Sequence, residues 1–144
     1  MTLHKNFLHL LIAYVLLSLL ACERNPIELD NAYIPVRNNL QQHYAAYFTL
    51  HNNTATDLVL LNVKSPQFSQ AMLHESTFEN NMSRMRHMHE VHIPANSKVV
   101  FAPNGKHVML MQATEQISIR ESIELVFKFK QQDEQRFIIP LRTQ

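Results

Sequence analysis

Four residues of this chain have types and spacing that can hold a soft metal ion: His74, Met85, His107 and Met109, in the pattern His-x10-Met-x21-His-x-Met. His107 and Met109 are two apart, so a strand carries both side chains on one face, whereas a helix would separate them. Asn80-Asn81 has the composition of a two-residue hairpin turn. Such a turn pairs Glu79 with Met82 and sets Ser76 opposite Met85, which leaves Met85 diagonal to His74. By parity His74, Ser76, Met85 and His87 share one face of the hairpin, and they converge on His107 and Met109 if the hairpin packs beside that strand.

Thioether sulfur is a soft, uncharged donor that suits Cu(I). Zn(II) prefers thiolate, imidazole or carboxylate, and Mg or Ca demand oxygen. Two imidazoles with two thioethers therefore select copper in its reduced state. Only the two histidines would compete with protons for the ion, so binding should weaken mainly below neutral pH. The chain has nine His and seven Met, and the competing reading of these residues is packing. Methionine fills core gaps, a lone histidine is often only hydrogen-bonded, and Met72, Met88 and Met111 are expected to pack. His87, His89 and His92 are candidates for a weaker Cu(II) site, since imidazole suits that ion; the plainer reading is solvated surface histidines.

The elements that must position these residues read as strands. Apolar residues come in short alternating or mixed runs, at 44–50, 58–63, 72–78, 82–88, 99–101, 108–111, 123–129 and 137–141. Between them lie turn-forming clusters such as Asn52-Asn53-Thr54, Ser65-Pro66, Pro94-Ala95-Asn96-Ser97 and Pro103-Asn104-Gly105. No capped apolar stripe at helical spacing persists for three turns, and 114–121 has room for a short turn at most. The expected fold is an all-β sandwich or small barrel. Gly105 is the only glycine, so positive-φ positions must fall to Asn or Asp.

The stretch from about Tyr44 to Leu141 resembles the periplasmic copper chaperones of the CuA-delivering type, written PCuAC, which share the His-x10-Met-x21-His-x-Met pattern. Further matches are Ala46-Tyr47-Phe48-Thr49-Leu50-His51-Asn52, Leu73-His74-Glu75, Ile93-Pro94-Ala95 and Gly105-Lys106-His107-Val108-Met109-Leu110-Met111. The resemblance implies a cupredoxin-like Greek-key β-fold and a Cu(I) site made by His74, Met85, His107 and Met109. It also implies delivery to a cuproenzyme, chiefly the CuA centre of cytochrome oxidase, and allows a thiol-disulfide copper chaperone as a second partner. Asn81 departs from the pattern, standing where the family usually has a turn glycine.

The first residues have the layout of a secretion signal: Lys5, an apolar run from Phe7 to Leu20, then Leu19-Leu20-Ala21-Cys22. The apolar run is short for a membrane span, which needs about 20 apolar residues. Leu-x-Ala-Cys resembles a bacterial lipobox, which implies a signal peptide over 1–21 and a diacylated Cys22. Its buried acyl methylenes, at about 0.8 kcal/mol each, would hold the chain on a leaflet. Glu23 after the cysteine implies the periplasmic leaflet of the outer membrane. The bland alternative is a chance cysteine closing an ordinary cleavable signal; either way the chain leaves the cytoplasm. Residues 22–42 read as a lipid-anchored tether leading into the first strand, and 43–144 as the copper-binding β-domain.

Composition excludes other classes. A net charge of +1 and 17% charged residues lack the basic footprint of a nucleic-acid binder. A lone cysteine permits no internal disulfide and no thiolate cluster. No nucleophile with a base and an orienting partner can be picked out, so an enzyme is not expected; Glu75 reads as surface charge or support for His74 rather than a catalytic base. Two further readings compete with delivery: copper sequestration for tolerance, and a metal-free envelope module in which His and Met serve as packing.

Overall fold

The computed structural model describes residues 25–37, 41–118, 121–130 and 132–143. Its strands are β1 (Ile27–Val36), β2 (His43–Asn52), β3 (Leu58–Lys64), β4 (Phe68–Glu79), β5 (Met82–His87), β6 (Val91–Ile93), β7 (Ser97–Phe101), β8 (Lys106–Ala113), β9 (Ser122–Phe129) and β10 (Gln135–Thr143). No helix occurs among the described residues. The expected signal peptide and Cys22 lie outside the described residues.

The strands run in the order β5-β4-β8-β7-β2-β1-β10-β9-β3-β6, with β8 also pairing β2. Non-sequential neighbours such as β4 beside β8 and β3 beside β9 are the crossing connections of a Greek-key sandwich, in agreement with the all-β reading. The sheet folds over on itself. Phe48 on β2 and Phe127 on β9 are three strand spacings apart, roughly 14 Å on a flat sheet, yet their rings lie 5.4 Å apart. Phe101 stacks on Phe48 at 4.4 Å, and Leu50, Leu60, Leu110, Ile123, Leu125 and Ile139 complete the buried layer between the two halves.

Two strands depart from the sequence reading. The tether expected over 22–42 contains β1, so the folded domain begins near Ile27 rather than at His43. β1 pairs antiparallel with β2 through Tyr33 and then parallel with β10 from Ile34, stitching the two halves together. Its register shifts between Asp30 and Tyr33, where Asn31 adopts φ 52°. That bulge moves the core-facing set from Ile27 and Leu29 to Ile34 and Val36, hiding the period of two. β6 is three residues long, too short to register as periodicity. Among the described residues five of the six non-glycine positive-φ positions are Asn (Asn31, Asn80, Asn81, Asn96 and Asn104), Gln112 is the exception, and Gly105 does not need it.

Candidate metal centre

The local chemistry of the β4–β5 hairpin fixes its register. Asn80 and Asn81 turn at φ 52° and 61°, the doubly left-handed geometry of a type I′ turn. Glu79 pairs with Met82, Ser76 with Met85 and His74 with His87. On its other edge β4 pairs with β8, where Leu73 meets Val108, His74 meets His107 and Met72 meets Met109. Leu73, Val108 and Leu110 point into the core. Their alternate neighbours His74, His107 and Met109 therefore stand on the outer face of the sheet.

His74 is thus the middle member of a rung of three imidazoles that crosses β5, β4 and β8. Its ring centroid lies 5.7 Å from that of His87 and 5.9 Å from that of His107. A metal held about 2.0–2.1 Å from a ring nitrogen sits about 3 Å from that ring's centroid, so two imidazoles sharing one ion have centroids no more than about 6 Å apart. The His74–His107 pair meets that limit. Met109 stands one same-face step from the rung on one side, and Met85 one step on the other, by strand register.

A groove of about 720 Å³ opens on this face, lined by Met85, His107 and Met109 together with Arg37, Gln41, His43, Tyr47 and Ser76. His74 is not among its lining residues and adjoins it through the His107 ring. Met85 is 56% exposed and His107 5%. One ligand candidate is therefore on a free edge strand, and another is held in the wall.

The orientation of His107 is set by backbone. Its Nδ1 lies 3.0 Å from the Gly105 carbonyl oxygen. A carbonyl can only accept, so Nδ1 carries the proton, and in the neutral ring the lone pair is on Nε2. The same carbonyl accepts from the Ser76 N–H at 3.0 Å, tying β4 to the loop before β8. Tyr47 packs its ring 6.3 Å from that of His107, and burial raises the Tyr47 phenol above its ordinary value. His74 has a buried Nδ1 with no hydrogen-bond partner, an expensive state for a polar atom unless something else satisfies it. Burial, followed by the neighbouring His107 and His87, pushes its pKa below the usual histidine value. Both causes favour the neutral form of His74, which is the form that donates a lone pair to a metal.

Behind the rung, one residue along, Glu75 accepts from Arg86 Nε on β5 at 3.0 Å and from Lys106 Nζ on β8 at 2.7 Å. These two hydrogen bonds hold its carboxyl below the usual carboxylate range and clamp three strands together opposite the imidazoles. Sequence reasoning singled out His74, Met85, His107 and Met109, but missed the parts played by Tyr47 and the Gly105 carbonyl. Tyr47 shares the outer-face parity of β2 with Ala45, the partner of Met109, and that parity was the available signal. Among the described residues no three His, Cys, Asp or Glu side chains form a metal-holding group; the soft donors in the groove are the two methionines.

Residues 27–141 match the model of the family described as "Putative lipoprotein LpqE-like". The chain belongs to this LpqE-like family. A comparison with curated proteins finds no match. Among solved structures, the apo PCuAC domain from PmoF1 superposes with a TM-score of 0.68 at 19% identity, covering 85% of this chain and 98% of that one. The copper-bound PCuAC domain from PmoF2 gives 0.67 at 17% identity, covering 85% and 97%. The solution structure of CuI-DR1885 from Deinococcus radiodurans gives 0.66 at 21%, covering 85% and 83%. This LpqE-like chain therefore has the PCuAC fold over nearly all its described length.

Proposed function

We propose that this LpqE-like protein is an extracytoplasmic copper(I) chaperone that holds one Cu(I) through His74, Met85, His107 and Met109. The observation that carries the reading is the His74–His107 pair at 5.9 Å beside a groove whose other soft donors are Met85 and Met109. Two imidazole nitrogens and two thioethers form an uncharged donor set suited to Cu(I). Two of the fold neighbours are described as copper-bound or CuI forms, which supports the choice of ion.

Ligand exchange needs one donor that lets go first. Met85, exposed on an edge strand, fits that part, while His107 anchored to Gly105 keeps the ion seated. The activity is transfer rather than turnover. The recipient is a cuproenzyme assembled outside the cytoplasmic membrane, such as the CuA centre of cytochrome c oxidase, with a thiol-disulfide copper chaperone as a second partner. A lipid anchor on Cys22, consistent with the family's description as a lipoprotein, keeps the chaperone on the periplasmic leaflet of the outer membrane.

The test is competition for Cu(I) between the full chain, solubilised in detergent, and a chromogenic chelator. One equivalent bound by wild type, and weakened in both His107→Ala and Met109→Ala, is expected; no competition by wild type would sink the reading. In a deletion strain, loss of oxidase activity under copper scarcity supports delivery, and copper sensitivity with normal oxidase supports sequestration.

A further inference from the structure

The rung of imidazoles does not end at His74. His87 lies 5.7 Å from His74, and His89 lies 5.1 Å from His87 with its ring turned 77°. Both outer rings are exposed, His87 at the end of edge strand β5 and His89 just beyond it. The residue between them explains why they meet. Met88 donates its backbone N–H to the Leu73 carbonyl at 2.8 Å and packs its side chain against the core. The chain is pinned inward at Met88, and the two flanking imidazoles stand together at the surface. His92 lines the same recess, with its Nε2 taken by Glu90 Oε1 at 2.8 Å.

We propose that His87 and His89 form a second metal position, made of imidazole nitrogen alone, which takes Cu(II). Their 5.1 Å separation lies within the limit of about 6 Å for two imidazoles on one ion. With no thioether in the pair, the donors favour the oxidised ion over the reduced one. Among the described residues no third His, Cys, Asp or Glu joins them as a metal-holding group, so solvent fills the remaining coordination positions. His87 and His89 line a recess of their own with Arg86, Glu90, His92 and Lys106, and the second position does not depend on the Cu(I) reading of the groove.

The experiment adds one equivalent of Cu(II) to the full chain in detergent and records its electron paramagnetic resonance spectrum. Nitrogen hyperfine splitting is expected in wild type and in His92→Asn, and its loss in the double variant His87→Asn/His89→Asn. His89→Asn alone, which leaves His87 beside His74, should lose the nitrogen splitting of the pair while keeping the wild-type affinity for Cu(I) in chelator competition. A Cu(II) spectrum unchanged by the double substitution, or wild type without nitrogen-coordinated Cu(II), would overturn the proposal. Failure of wild type to compete for Cu(I) would instead defeat the chaperone reading and leave the Cu(II) result standing.

Discussion

Asn52 offers a perturbation that separates the fold from the metal centre. It is 1% exposed at the end of β2. Its Nδ2 lies 2.8 Å from the Thr56 carbonyl, 3.1 Å from that of Ile93 and 3.0 Å from that of Pro94. Its Oδ1 accepts from the Thr54 N–H at 3.0 Å and from the Thr54 hydroxyl at 2.6 Å. One amide thus binds the β2–β3 turn to the end of β6. Two amide protons shared among three carbonyls, plus two accepted bonds, are worth about four hydrogen bonds at roughly 1 kcal/mol each. Thr54 can turn to water, so Asn52→Leu, which keeps the branch at Cγ but loses every polar atom and is bulkier, should destabilise by about 3 kcal/mol or more. That is a large part of a stability of about 5–15 kcal/mol and should lower Tm by about 10 °C. Urea unfolding followed by far-ultraviolet circular dichroism measures the loss. Seven residue steps along β2, about 23 Å of strand, separate Asn52 from Ala45 beside Met109, so Cu(I) affinity in the folded variant should be unchanged. A loss under about 1 kcal/mol, or a weakened Cu(I) affinity, would refute the reasoning.

The hairpin turn and the ionic clamp can be tested the same way. Asn81→Val should cost about 1–2 kcal/mol, because a β-branched residue resists φ 61°, and should weaken Cu(I) binding by disturbing the register that presents Met85. Asn81→Gly should preserve both, and denaturant melts with chelator competition report on the pair. Glu75→Gln should destabilise by about 0.5–1 kcal/mol, since Arg86 is exposed and screened by solvent; urea midpoints measured at low and high salt should converge for wild type and variant.

Much of the hairpin was legible in the chain. Asn80-Asn81 dictates a doubly left-handed turn, and the turn alone forces Ser76 opposite Met85 and His74 opposite His87. Parity alone places His107 and Met109 on one face, because side chains on a strand alternate. These are local consequences of backbone geometry, as is the use of Asn where φ is positive. What only the tertiary structure decided is non-local. The packing of β4 against β8 brings His74 opposite His107, and a sequence of short strands specifies no partner across 30 residues. The strand hidden in Ile27–Val36 was invisible because a bulge switches its buried parity. The pairing of His87 with His89 depends on Met88 reaching the Leu73 carbonyl. Local rules determined which faces carry the donors; burial of the opposite faces in one shared core determined which donors meet.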